Sequence, residues 1–408
     1  MSDARLKPGW DRVAFGDVVR RSRERSSDPA ADGFDRYVGL AHLEPGDLKI
    51  CRWGDVADGT TFTNVFRAGQ VLFGKRRAYQ RKLAVADFDG VCSGDIYVFE
   101  PSDSKLLPEL LPFICQTDGF FEHAVGTSAG SLSPRTNWKS LASYEFDLPP
   151  LDEQTRIAEV LHAAEGQGQA ARRLSASAAT LQQAAIDRAF AGGLIGESNA
   201  GSWVRTEIGD LPRDWHLQPL ASVCSTIVDG VHKRPDYVTS GIPFVTIENL
   251  NRGPGIDFSD VRFVSRQDHA RFSKRANPQK GDVLVSKDGT LGVARVVETD
   301  AEFSIFVSVA LLKPDLDLLD PWFLRYYFDS TLFKRRLAMK SAGSALKHIH
   351  LVDFRESVIP VPPLPEQRAI TTTIDEVYRA YTHCLSEETS AKVLRQACLA
   401  CLLSGVIE

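Results

Sequence analysis

The sequence predicts an α+β protein in which two mixed α/β domains are carried on two long helices of coiled-coil character. Three observations predict it. The chain is written twice: Ser128-Ala129-Gly130-Ser131 returns as Ser341-Ala342-Gly343-Ser344, and Pro149-Pro150-Leu151-Asp152-Glu153-Gln154 returns as Pro362-Pro363-Leu364-Pro365-Glu366-Gln367, both 213 positions on (341 − 128 and 362 − 149). The front of each half holds short β-branched and aromatic runs bounded by Gly, Pro, Asp and Ser, the pattern of strands and turns. The back of each half carries apolar residues at steps of three and four over several heptads, the pattern of a coiled-coil seam.

The front parts, 1–150 and 211–361, contain strand runs such as Val71-Leu72-Phe73, Asp95-Ile96-Tyr97-Val98-Phe99 and Ile242-Pro243-Phe244-Val245-Thr246-Ile247. Helical spacing recurs at 106–121 and 322–339. The offset between the halves drifts through these parts, from 205 (Trp10 to Trp215) to 207 (Tyr37 to Phe244) to 212 (Gly69 to Gly281), then holds at 213 from Ser128 onward. Length changes are therefore confined to the front parts, where surface loops absorb them cheaply.

The back parts, 151–195 and 362–408, read as spacer helices, with a polar linker at 196–210. In the first, Ile157, Leu161, Ala164, Ala171, Leu174, Ala178, Leu181 and Ala185 form the stripe. In the second it is Ile370, Ile374, Val377, Tyr381 and Cys384, resuming at Ala391, Leu394, Cys398 and Cys401. Pro365 suits a first helical turn, Asp152 and Glu153 suit a helix N-terminus, and Gly192 and Gly405 suit stops. About 40 residues at 1.5 Å each make a rod of roughly 60 Å. Gly166 and Gly168 should each cost about 1 kcal/mol relative to Ala; a kink or a close helix approach would explain them. Neither rod is rich enough in large apolar residues to stand alone, so each is the obvious partner of the other.

At 408 residues, 43% hydrophobic and 25% charged, the chain has the composition of an ordinary globular protein with more than one domain. No stretch approaches 18 uninterrupted apolar residues, and Met1 to Trp10 lacks an apolar core, so neither membrane spanning nor secretion is expected. Seven irregularly spaced cysteines fit reduced thiols and a cytoplasmic location. The net charge of −5 excludes a generally basic coat, but the cations cluster, at Arg20, Arg21, Arg23 and Arg25, at 75–82, at 271–280 and at 334–340.

Motifs for catalysis are missing. The Pro-Pro pairs lack the Asn or Asp and the aromatic of an amino-methyltransferase motif, and no Walker-type loop occurs. Pro235-Asp236 and Glu248 brush a nuclease pattern, but Leu250 stands where lysine belongs. Cys398 and Cys401 have no second pair, and His348 and His350 have no third ligand, so no metal site is expected.

Binding chemistry remains. Lys75, Arg76, Arg77, Tyr79, Arg81 and Lys82 place cations and an aromatic just after a strand, as contact with phosphates and guanine edges requires. Lys287 and Thr290 occupy the equivalent turn with different chemistry, and Lys233 and Arg234 precede another loop. Ser128 and Ser131, repeated as Ser341 and Ser344 with Lys347 and His348 close by, mark a hydroxyl-bearing turn able to donate to phosphate. If Arg76 or Lys287 reads a base edge, its loss should cost about 1–3 kcal/mol at one half-site only. A stand-alone nuclease or methyltransferase with degenerate motifs, and a coiled-coil interaction protein without DNA function, are the competing readings.

The repeated Pro-Pro-Leu-x-Glu-Gln, with Gly69-Gln70-Val71-Leu72-Phe73-Gly74-Lys75, Phe88-Asp89-Gly90-Val91-Cys92-Ser93, and Asp229-Gly230-Val231-His232-Lys233 before Gly241-Ile242-Pro243-Phe244, resembles the type I restriction–modification specificity (S) subunits over nearly the whole chain. The first half lacks the Asp-Gly-x-His-Lys motif that the second keeps. The resemblance implies two target-recognition domains, each reading one half of a bipartite DNA site. It also implies that the long helices pair antiparallel, in a pseudo-twofold internal repeat that separates the half-sites by roughly one helical turn, ~34 Å. It assigns catalysis to partners: two modification subunits that methylate adenine with S-adenosylmethionine, and restriction subunits that use ATP and magnesium. No cofactor is then expected on this chain.

Overall fold

Each Pro-Pro-Leu-x-Glu-Gln motif opens a long helix, Leu151–Phe190 in the first half and Leu364–Leu402 in the second. The computed structural model of the chain describes residues 6–192, 203–340 and 348–403. It divides into unit 1 (Met1–Leu174 with Leu385–Glu408) and unit 2 (Ser175–Cys384), so each unit holds the beginning of one long helix and the end of the other.

The two motifs explain themselves identically. Gln154 is 1% exposed and Gln367 0%, and a buried amide must bond through both ends. Gln154 donates to the carbonyls of Pro149 (2.8 Å) and Lys105 (2.7 Å) and accepts from Leu107 N–H (2.9 Å). Gln367 donates to Pro362 and Leu318 (both 2.8 Å) and accepts from Asp320 N–H (2.8 Å). The neighbouring Glu153 and Glu366 each accept the indole N–H of Trp10 or Trp215 at 2.9 Å. The motif therefore welds the first turn of each helix to its own front domain.

In unit 1 an antiparallel four-stranded sheet runs Val19–Arg21, Ile96–Pro101, Val71–Gly74, Leu83–Val85. A second, mixed sheet runs Gly54–Asp55, Arg36–Val38, Gly90–Cys92, Asn64–Phe66, with its central pair parallel. A separate pair, Asp11–Ala14 with Glu145–Leu148, brings the start of the front part beside its end. Unit 2 repeats the plan. Its four-stranded sheet runs Cys224–Asp229, Val309–Pro314, Val283–Ser286, Ala294–Val296, and its closing pair is His216–Pro219 with Val358–Val361. The mixed sheet has three described strands, Arg262–Val264, Ile242–Val245 and Ser304–Ile305; the strand matching Asn64–Phe66 has no counterpart among the described residues. Trp203–Thr206 and Gly209–Pro212 add a hairpin in unit 2.

The cores are aromatic. In unit 1 Phe15, Phe73, Phe99 and Phe120 mesh with Ile157 and Leu161 of the first long helix and Leu399 of the second. In unit 2 Phe323, Tyr327, Phe328 and Phe333 mesh with Ile186 and Phe190 of the first helix and Ile370 and Ile374 of the second. In each unit the start of one helix thus shares a core with the end of the other, which is antiparallel pairing. In unit 1 a buried ion pair, Glu165 with Arg395 at 2.6 Å, bridges the helices, and Arg172 adds to it from 3.2 Å.

The seam departs from the expected stripe after its first turns. Ile157, Leu161, Ile370 and Ile374 are buried and Val377 and Tyr381 half-buried, but Leu174, Leu181 and Leu394 are 57%, 60% and 50% exposed. Buried in their place are Gly168 and Ser175 on the first helix and Arg395 on the second. A seven-residue repeat drifts around an undistorted 3.6-residue helix, and small or paired polar residues took the seam where large ones were expected. A close approach does not explain the two glycines: a Cβ on Gly166 would meet nothing within 4 Å, and one on Gly168 only the Arg172 guanidinium at 3.8 Å.

Candidate nucleic-acid interface

In unit 1 the strand Val71–Gly74 delivers the cationic loop. A Cβ on Gly74 would lie 2.9 Å from Leu40 and 3.2 Å from the Lys82 carbonyl, so glycine is required where the loop closes. The loop holds the described residues other than glycine with positive φ, Arg77 at 54° and Arg81 at 53°, a conformation costing about 1 kcal/mol or more at each. Its cations do not act together. Arg76 donates to Asp95 (3.2 Å) and to Ser133 Oγ (3.1 Å), and Arg77 donates to the same Ser133 oxygen (3.2 Å). Arg135 also reaches Asp95, at 2.9 Å. Burial would raise the Asp95 carboxyl, but Arg135 and Arg76 hold it below the usual range. Arg77 N–H also bonds the Pro134 carbonyl at 2.7 Å, tying the loop to the turn at 128–135.

The structure thus brings the Lys75–Lys82 loop and the Ser128–Ser131 turn together. Ser128 donates its hydroxyl to the Ala124 carbonyl at 2.7 Å and so finishes a helix, while Ser131 is exposed beside Leu132, itself 90% exposed. Farther along, Arg81 pairs with Asp118 (2.6 Å) and lies over Phe121 (4.7 Å), and Lys82 donates to the Leu40 carbonyl (2.6 Å). Tyr79 is 55% exposed and lines, with Arg81, a cavity of about 610 Å³ whose other wall includes Lys392 and Gln396 of the second long helix. Lys75 lines a different cleft, of about 430 Å³, with Arg21, Arg23 and Arg25.

In unit 2 the equivalent lysine is inside the protein. Lys287 is 4% exposed and pairs with Asp229 at 3.2 Å. Asp229, 2% exposed, also accepts from Arg275 (2.5 Å) and His232 (3.1 Å). Burial alone would raise this carboxyl; Arg275, Lys287 and His232 together keep it below its ordinary value. On the other side Lys287 meets His348 at 3.4 Å, which bonds Asp288. Lys287 is therefore a buried brace of the turn rather than an exposed tip. Thr290 is exposed and within 3.5 Å of Asn251, and Lys233 and Arg234 are exposed, with Arg234 over Tyr237 at 5.7 Å. Ser341, Ser344 and Lys347 lie outside the described residues.

Sequence reasoning missed Asp229, His232 and Arg275 as parts of one network. The signal was present in Asp229-Gly230-Val231-His232: an acid ahead of cations in a supposed DNA loop needs a reason. Gly230 supplies another, since a Cβ there would fall 2.0 Å from the Ile305 carbonyl oxygen. Among the described residues no group of three or more His, Cys, Asp or Glu side chains could hold a metal ion, and no helix is long and apolar enough to cross a membrane.

A family model described as the type I restriction modification DNA specificity domain matches residues 9–170 and again 212–393. The chain belongs to the type I restriction–modification specificity subunits. Specificity subunits recognise DNA and are not the catalytic members of these systems. Among its relatives, the EcoBI specificity subunit of Escherichia coli is 26% identical, covering 85% of this chain and 76% of that protein. The MjaVIII specificity subunit of Methanocaldococcus jannaschii is 19% identical, covering 100% and 95%. Two solved structures share the fold: a chain from a study of complex assembly in the type I R-M system (TM-score 0.60, 24% identity, 99% and 100% covered) and the S subunit from M. genitalium (TM-score 0.58, 15% identity, 99% and 97% covered). The two matches fall one in each half of the chain, so each of the loops described above lies within its own copy of the family's domain.

Proposed function

We propose that this specificity subunit binds a bipartite duplex site, each unit reading one half-site, and that its helices dock two modification subunits and the restriction subunits. S-adenosylmethionine would then be bound by the modification subunits, and ATP and magnesium by the restriction subunits, with this chain holding no cofactor. The observation that carries the reading is the duplicated specificity domain whose copies keep one scaffold and differ at the same loop: Lys75 lines an open cleft, while Lys287 is closed off by Asp229. Equal scaffolds with unlike tips are what two different half-sites require.

Base and phosphate contacts are assigned to the exposed cations and hydroxyls at 75–82 and 128–135 in unit 1 and to Lys233, Arg234 and Thr290 in unit 2. Arg76 and Arg77 reach DNA only through their remaining N–H groups, because Asp95 and Ser133 occupy the others. The test is reconstitution with a modification subunit, followed by modified-base sequencing of the treated genome. A single split adenine motif is expected, with no methylation by this chain alone. Methylation at contiguous motifs only would sink the reading.

A further inference from the structure

The two units differ at the position of the buried Asp229 of unit 2. The backbone places Lys75 and Lys287 at the same point. Lys75 N–H bonds the Asp95 carbonyl (3.0 Å) and its own carbonyl accepts from Thr136; Lys287 N–H bonds the Ser308 carbonyl (2.9 Å) and its carbonyl accepts from Ile349. The neighbouring edge strand can be registered the same way. Arg21 faces Phe99, the last pair of this strand, and Ser22 N–H bonds the Val98 carbonyl; carried one residue further, the same register brings Arg23 to the rung of Tyr97. In unit 2 Asp229 faces Ala310, which is 213 positions after Tyr97 (310 − 97). The rung that carries a buried aspartate in unit 2 carries an arginine in unit 1.

The consequence in unit 1 is a cleft of about 430 Å³ lined by Arg21, Arg23, Arg25 and Lys75. The strand Val19–Arg21 ends at the first of these arginines and Arg25 already bridges Asn64 of the second sheet, so the chain crosses between the two sheets here with all three arginines lining the one cleft. Tyr97 forms part of the lining, with the Arg21 guanidinium 5.1 Å and Lys75 Nζ 4.7 Å from its ring centre. Thr61 to Asn64, leading into the strand that lacks a counterpart in described unit 2, close one side, and Arg25 reaches Thr63 Oγ1 at 3.4 Å. The nearby acids are engaged elsewhere: Asp95 with Arg76 and Arg135, Glu24 with Arg67, Glu100 with Arg20. Among the described residues, no carboxylate lies within 4 Å of any of the four cations. Burial and the surrounding arginines lower the Lys75 ammonium, offset in part by Asp95.

We propose that this cleft binds a phosphate group, taking from outside the negative charge that Asp229 supplies internally in unit 2. On the function proposed above, that group is a backbone phosphate of the duplex at the unit 1 half-site. The chemistry selects an oxyanion over a base. Three guanidiniums and an ammonium gather four positive charges in one cleft with no carboxylate beside them, a balance that an anionic phosphate restores and an uncharged base edge does not. Arginine forks match two phosphate oxygens at once. A phosphate held here positions the duplex without reading its sequence. Unit 2, whose corresponding charge is already balanced, lacks this anchor.

The test uses the full chain and two variants, Arg23→Asp, which restores the unit 2 arrangement, and Arg21→Gln. Arg23 is exposed and Arg21 half-buried with no carboxylate partner among the described residues, so both variants should keep the wild-type circular dichroism and a cooperative melting transition in chloride. Inorganic phosphate, titrated against chloride at constant ionic strength, should raise the melting temperature of the wild type and not that of Arg23→Asp. In complex with a modification subunit, the slope of log affinity against log salt should fall by about one in either variant, by a similar factor on specific and unrelated duplexes. Phosphate stabilisation with an unchanged salt slope would assign the cleft to a free anion and overturn its backbone role. Neither phosphate stabilisation nor a slope change would overturn the site itself. Because the phosphate titration needs no DNA, it still reads the cleft if the bipartite function fails.

Discussion

Lys287 depends on a single carboxylate. Removing one partner of a buried pair leaves an uncompensated charge, at a cost of about 3–5 kcal/mol. Asp229→Asn is therefore expected to destabilise unit 2 by about 3 kcal/mol in chemical denaturation, and Lys287→Ala to lower stability as well as DNA binding. This corrects the expectation that Lys287→Ala would act only through a base contact. The sign with pH is fixed. The Asp229 carboxyl is held below its ordinary value of 3.8, so its contribution is complete above that value and is lost as pH falls through the lowered one. An Asp229→Asn protein should accordingly lose less stability than wild type on acidification below about pH 4; equal losses would show that the network does not hold the charge. The lysine was legible as a cation after a strand, but its burial was not. The acid that buries it lies 58 positions earlier (287 − 229), and only the sheet brings the two together.

Of the long helices, the sequence showed where they start and that they pair; it did not show the later seam. Pro-Pro-Leu-x-Glu-Gln is local and marks the helix start, but its glutamine bonds once to the motif's own proline and twice to residues 47 and 49 positions earlier, which only the fold brings beside it. The seam past residue 165 is set by the opposing helix, and it accepts Gly168, Ser175 and Arg395, which hydropathy ignores. Two measurements address these contacts. Glu165→Leu or Arg395→Met alone should each cost about 3 kcal/mol, whereas the double variant should recover most of the loss, because a matched apolar pair avoids the desolvation of two charges. A double variant no better than either single would mean that the ion pair carries more than its own attraction. At the helix start, Gln154→Ala should cost about 2 kcal/mol for the partners left unmet in Leu107, Lys105 and Pro149. Gln154→Glu should cost more, since a carboxylate cannot donate to the two carbonyls.

The repeat was visible across the chain, and so was its asymmetry, in the Asp-Gly-x-His-Lys motif present in only one half. What that asymmetry means was legible only when the sheets were registered. The same rung holds an acid in one copy and an arginine in the other, inside four-stranded sheets of the same strand order. The copies diverge in charge, in loop length, in the fourth strand of the mixed sheet and in the added hairpin, while the motif glutamines, the indole bonds and the closing strand pairs are kept.

Those closing pairs have a practical consequence. Asp11 faces Leu148 and Ala14 faces Glu145; His216 faces Val361 and Pro219 faces Val358, the same register in both. Chain leaves and rejoins the frame at adjacent points, so everything between behaves as a cartridge whose length the helices never sense. A chimaera with residues 220–357 in place of 15–144 is expected to melt cooperatively. With a modification subunit it should methylate a site built from one half-motif used twice. Retention of the parental motif would show that the frame, and not the cartridge, chooses the bases.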